Sequence, residues 1–308
     1  MKKWFNAGSK RLLLLWGFSG ILYGLTGCVT SPASIPAGAS PVPKIALVLG
    51  GGAAKGFAHI GVIRTLEQEK IPIDMVIGTS VGSLIGAIYA DTRSSFELEA
   101  IAFKLEKDDI FDFSVFSSTW GPVKGDQLEK FVRTKIKKVN IEDLKIPFAA
   151  VATNLYTGER VVLDKGPVAF AVRASSSIPG VFTPAQSPGG LLVDGGVVDN
   201  VPVDVAREKG ADLVIAVNIG KPSVNKNISN ILDVTLQAVD IMFNEISKFK
   251  IQGADIVIEP DVSNLGMMDF SSKEASMRAG IEATRKMIPE IKSKIDAWAA
   301  RKAKAPSP

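Results

Sequence analysis

Two short glycine-flanked segments carry the residues best suited to chemistry. Gly78-Thr79-Ser80-Val81-Gly82 has the G-x-S-x-G spacing of a nucleophile elbow, and Asp194-Gly195-Gly196 sets a carboxylate directly before two residues without side chains. A serine at a sharp strand-to-helix turn adopts a strained backbone, and glycines two positions before and after it remove side chains that would strike neighbouring backbone. Such a serine stands at a helix N-terminus, where the dipole favours developing negative charge. A Ser-His-Asp triad needs an imidazole as base, and the only histidine in the 308 residues is His59. His59 precedes Ser80, whereas the usual α/β-hydrolase order places histidine last, so His59 reads as a helix side chain bonded to local polar groups. Asp194 is then the candidate base.

A third segment, Gly50-Gly51-Gly52-Ala53-Ala54-Lys55-Gly56, is a glycine loop. It fails as a P-loop, because Lys55 precedes the last glycine and Phe57 follows it. It also fails as the dinucleotide fingerprint, because Lys55 stands where the last glycine should be.

The elements around these loops read as alternating strands and helices. Ile45 to Leu49 is a short apolar run entering the glycine loop, and Ile60, Ile63 and Leu66 then recur at helical spacing. Ile73 to Ile77 is a second buried-strand run, entering the elbow, after which Leu84, Ile85 and Ile88 mark another helix face. Two strand-helix units in series imply a parallel sheet. Further strands are predicted at Phe148 to Thr153, Leu191 to Val193, Leu213 to Val217 and Ile256 to Ile258. The whole reads as one three-layer α/β/α domain with a mainly parallel central sheet, from residue 44 to 300, followed by a polar, frayed tail at 301–308. The stretch from Asp91 to Asn140 reads as mostly helical. Its aromatic cluster, Phe111, Phe113, Phe116 and Trp120, suits core packing or an apolar wall for an acyl chain. Residues 221–230 read as a mobile loop.

Order and type of motif together resemble the patatin-like phospholipases, in which a G-G-G-x-x-K-G loop, a G-x-S-x-G elbow and a later D-G-G follow one another. The closer similarity is to the bacterial branch that resembles the catalytic domain of neuropathy target esterase. Arg173 to Gly180 (RASSSIPG) and Asp199-Asn200-Val201-Pro202 fit it as well. The resemblance covers roughly Lys44 to Val217. It implies a serine lipid-acyl hydrolase in which Ser80 attacks an ester and Asp194 accepts its proton, in a site dry enough to raise the proton affinity of a carboxylate. It further implies that the amides of Gly51, Gly52 and Ala53 receive the oxyanion, each worth roughly 3 kcal/mol in the transition state. Lys55 stands where relatives often carry arginine, which keeps the charge and loses the bidentate fork. The same dyad would serve a phospholipid, lysophospholipid, neutral lipid or acyl thioester. A catalytically idle binding or scaffolding module is the alternative of a different class.

Composition narrows the partners. At 46% hydrophobic and 22% charged residues the chain is globular. Lys2, Lys3, Lys10 and Arg11 sit in the first 27 residues, which hold no acid, so removing them from the net charge of +4 leaves zero and no basic nucleic-acid footprint. One histidine and one cysteine exclude the common zinc spacings, and neither metal nor cofactor is expected. The basic start, the apolar run from Leu12 to Leu25 and Leu25-Thr26-Gly27-Cys28 resemble a lipoprotein signal peptide (1–27) with its lipobox. The implied state is Cys28 carrying lipid in a bacterial membrane, with a Pro-, Ser- and Ala-rich tether over residues 28–43. Val29 stands where Gram-negative lipoproteins retained in the inner membrane usually carry Asp, and that resemblance implies the outer membrane of the cell envelope.

Overall fold

The computed structural model describes residues 41–113, 121–221 and 228–304. Cys28, the signal segment and most of the tether lie outside them, as do Phe116, Trp120 and residues 222–227 of the expected loop.

Eight strands form one sheet in the order β5-β6-β3-β2-β1-β7-β8, with β4 also paired to β3. The strands are β1 (Ile45–Leu49), β2 (Met75–Thr79), β3 (Phe148–Asn154), β4 (Arg160–Leu163), β5 (Ala185–Ser187), β6 (Gly190–Asp194), β7 (Leu213–Val217) and β8 (Ile256–Ile258). β1, β2, β3, β7 and β8 run parallel, while β4 and β6 run antiparallel to β3. The parallel strands are continuous apolar runs because both faces are covered. Ile45, Leu47 and Leu49 pack into a core with α1 (Phe57–Gln68), α2 (Val81–Thr92) and α8 (Lys273–Lys304). Ala46 and Val48, on the opposite face, pack with Val203, Val205 and Ala206 of α6 (Val203–Glu208). The remaining helices are α3 (Ser95–Phe103), α4 (Asp126–Lys135), α5 (Val168–Ser175) and α7 (Ile231–Lys250). This is the expected three-layer α/β/α fold.

Three details differ from expectation. The second strand begins at Met75, with Ile73 buried in the approach to it. β4 and β5 add an antiparallel margin that the apolar pattern did not mark: β4 is only half-buried and β5 has three residues. The polar tail expected from residue 301 is helical as far as Lys304, since α8 continues through Ala-Ala-Arg-Lys-Ala-Lys, all good helix formers.

Register explains how distant segments meet. Val151 of β3 faces Thr79 and its neighbour Ala152 faces Asp194, so β2 and β6 end at adjacent positions along β3. The residue that follows Thr79 is Ser80.

Candidate active site

Ser80 occupies the turn between β2 and α2 with φ 54° and ψ −127°, a conformation that L-residues rarely adopt. Two close approaches make it possible. A Cβ on Gly78 would lie 2.5 Å from the Gly82 backbone, and one on Gly82 would lie 2.2 Å from the Leu49 carbonyl oxygen. The glycines of the elbow are therefore required at both positions. The Ser80 amide donates to Ser175 Oγ at 2.9 Å, and that hydroxyl donates to the Val151 carbonyl at 2.6 Å, fastening the turn to β3.

Asp194 is fully buried beside this turn. Its Oδ1 accepts the Gly196 amide at 2.8 Å, its own amide donates to the Ser177 carbonyl at 2.9 Å, and Thr153 Oγ1 donates to its carbonyl at 3.0 Å. Its Oδ2 has no hydrogen-bond partner. Ser80 nevertheless lies close enough to hold the carboxyl's pKa down. The two side chains face each other without a formed hydrogen bond. Burial dominates the titration, pushing the Asp194 pKa up to about 7, against the opposing pull of Ser80 and the Gly196 amide. A buried carboxylate that titrates near neutrality and faces a strained serine can accept its proton.

The glycine loop flanks the elbow, and long-range contacts hold it. The Gly50 amide donates to Val217 O at 3.1 Å, and His59 Nε2 lies 2.8 Å from Gly50 O. Burial drives the His59 pKa down to about 4, so the ring is neutral and donates this bond. The Gly51 amide donates to Asn200 Oδ1 at 3.1 Å and to Asn200 O at 3.4 Å. This corrects the expected three-amide cradle: Gly51 is already engaged. The amides of Gly52 and Ala53 carry no hydrogen bond among the described residues, and Ala53, at φ 49°, lies with Ser80 on the pocket wall. Lys55 is fully buried, where Nζ donates to Asp240 Oδ1 and Oδ2 at 2.9 and 2.8 Å and to Lys221 O at 2.8 Å. It ties Gly56 and the loop to α7 and does not line the pocket.

From Ser80 a cleft of about 540 Å³, counting space open to solvent, runs between apolar walls. Ala53, Leu84, Ile85, Phe111, Phe182 and Phe270 supply much of the lining. Phe111 packs on Phe182 and Phe270 with ring centroids 5.3 and 6.1 Å apart, so one member of the expected aromatic cluster does form a pocket wall. Phe113 stacks on Phe111 and is half exposed. Behind the wall, the Arg173 guanidinium donates to Ser177 Oγ, Lys124 O and Thr183 O, joining two segments at the cleft.

Ser80, Asp194 and the glycine loop, far apart in sequence, lie together in the structure. Ser175, Asn200 and Asp240 also brace the site, with no role legible for them in the sequence. Ser175 and Asn200 lie in blocks already noted for their type, but Asp240 carried no local signal.

A family model described as patatin-like phospholipase matches residues 47–207. A patatin-like phospholipase domain-containing protein of Caenorhabditis elegans is 40% identical over 57% of the chain and 14% of its own length. An NTE family protein of Mycobacterium tuberculosis is 38% identical over 61% of the chain and 52% of its own length. Human patatin-like phospholipase domain-containing protein 6 is 38% identical over 57% of the chain and 13% of its own length. The matched region thus spans about half of these relatives at most. Among solved structures, VipD from Legionella pneumophila superposes with a TM-score of 0.54 at 15% identity, covering 81% of the chain and 67% of VipD, a likeness of fold.

Proposed function

The chain belongs to the patatin-like phospholipase family, and on that premise we propose that it is a serine lipid-acyl hydrolase, with Ser80 as nucleophile and Asp194 as general base. One observation carries the reading: a serine held at φ 54° opens onto an apolar cleft and faces a fully buried carboxylate whose pKa burial raises to about 7.

In this mechanism Ser80 Oγ attacks the ester carbonyl as its proton passes to Asp194. The carbonyl oxygen becomes an alkoxide facing the unengaged amides of Gly52 and Ala53. Collapse expels the alcohol, which takes the proton from Asp194, and leaves an acyl group on Ser80. Water then attacks, Asp194 accepts its proton, and the returning proton restores Ser80 as the fatty acid leaves. No histidine is needed, because burial gives the carboxylate a proton affinity near that of imidazole. The cleft walls take the acyl chain and exclude water around it.

Phospholipid vesicles and a short-chain nitrophenyl ester test this reading. Release of fatty acid by the wild type, lost in Ser80→Ala and Asp194→Asn with the fold retained, supports it. An inert wild type, or variants that match it, refutes it.

The Leu25-Thr26-Gly27-Cys28 sequence supports anchoring of the enzyme through lipid on Cys28, at the outer membrane of a bacterial envelope. Metabolic labelling with an alkyne fatty acid should mark the wild type and not Cys28→Ser, and membrane fractionation should then assign the membrane. Labelling that persists in Cys28→Ser contradicts the anchor.

A further inference from the structure

α7 has two faces of opposite character. Its inner face holds three parts of the catalytic machinery: Asp240 binds Lys55 of the glycine loop, the Phe243 ring sits against Gly196 beside Asp194, and Ser247 Oγ accepts from Asn200 Nδ2 at 3.1 Å. Its outer face carries Ile231, Val234, Ala238, Ile241, Met242 and Phe249. At 100° per residue these six fall within an arc of about 100°, opposite the inner set. Ile231 is 80% and Phe249 74% exposed, and no described element covers the stripe.

We propose that this outer face of α7 docks on a phospholipid bilayer and that the docked helix presents the cleft to its lipid substrate. The inference rests on the hydrolase reading and names the surface from which that enzyme takes its substrate. Three observations favour a bilayer as the occupant. First, the stripe has the width and composition of an interfacial amphipathic helix, and Lys248 borders it, where its stem can lie along the apolar surface with its ammonium at headgroup level, while Lys250 turns inward to Asp199 and Asp204. Glu245 lies within the arc, paired with Lys248 at 2.5 Å, which keeps this carboxylate neutralised at headgroup level. Second, Thr235 at the start of the helix approaches Gly180, between Ile178 and Phe182 of the cleft wall, so lipid beneath α7 is also beside the cleft. Third, Cys28 precedes Lys44 by 16 residues, a contour of roughly 50 Å, so a lipid on Cys28 would keep the domain within reach of a membrane.

The docking arm uses the full chain with Cys28→Ser and Ser80→Ala, so that the introduced thiol is the only one and no lipid is consumed. An environment-sensitive fluorophore is placed at Ala238→Cys, or at Ala100→Cys on α3, also an exposed site. Vesicles of phosphatidylethanolamine and phosphatidylglycerol should shift the emission of the label at 238 to the blue and leave that at 100 unchanged. Ile231→Asp with Ile241→Asp should abolish the shift. Equal shifts at both sites overturn the proposal, and so does a vesicle-free shift at 238 that grows with protein concentration, which would mark a second copy as the occupant.

In the Ser80-containing chain the same double substitution should lower hydrolysis of vesicle phospholipid at least tenfold and leave kcat/KM for a soluble short-chain ester unchanged. Equal losses on both substrates overturn the proposal. A wild type inert on both substrates refutes the hydrolase reading alone, because the fluorescence arm requires no turnover.

Discussion

The elbow and the glycine loop lie side by side, but they are fixed by different means. The elbow carries its own mark in sequence: Gly78 and Gly82, at fixed spacing about Ser80, admit the tight turn and its close approach to Leu49, and β2 and α2 hold its ends. The glycine loop depends on partners far along the sequence. Asn200 lies 149 residues from Gly51, and Asp240 lies 185 residues from Lys55. A motif whose steric demands fall on glycines at fixed spacing is readable from a pentapeptide, whereas one braced by remote side chains with no local signal is readable only in outline.

This contrast can be broken most forcefully at the elbow. Ser80→Ala is expected to lower kcat by at least about 10⁴-fold while thermal melting stays near wild type, since the hydroxyl makes no bond that the fold requires. A residual rate within tenfold of wild type would mean that another group attacks. Asp194→Asn is expected to cost about 10²- to 10⁴-fold in kcat. It should also stabilise the fold above pH 7. The sign follows from the raised pKa: between about pH 4 and 7 the folded Asp194 holds a proton that the unfolded chain has lost, so its contribution to stability falls as pH rises through that window. Melting temperatures of wild type and Asp194→Asn at pH 5 and 8 check this, and a gap that fails to widen in the variant's favour at pH 8 contradicts the buried-carboxylate account.

At the glycine loop the expected effects divide between stability and rate. Asp240→Ala leaves the fully buried Lys55 without its counter-charge and should destabilise the fold by about 3–5 kcal/mol, measured by denaturant unfolding. A loss below about 1 kcal/mol would show that the loop does not lean on α7. Asn200→Ala removes the side-chain acceptor of the Gly51 amide, and kcat should fall about ten- to a hundredfold with KM little changed. A rise in KM at constant kcat would move Asn200 from positioning the loop to binding substrate.

The same division governs what was legible beforehand. Apolar runs entering glycine turns located β1 and β2, and the order of loop, elbow and acid located the site. β4 escaped because its four residues are all half-buried and show no alternation, and β5 because three residues give no period. The wall of the cleft combines Phe111, Phe182 and Phe270, whose convergence depends on tertiary packing. For a related reason the engagement of the Gly51 amide by Asn200 cannot be seen from the glycines themselves.

The most direct test of the central claim is covalent labelling by a fluorophosphonate, followed by peptide mapping and by the rate of labelling against pH. The account requires one adduct, on Ser80, formed at a rate that rises with pH through about 7 as Asp194 ionises and that is slow and flat in Asp194→Asn. An adduct on another residue, or a pH profile unchanged in Asp194→Asn, would contradict it.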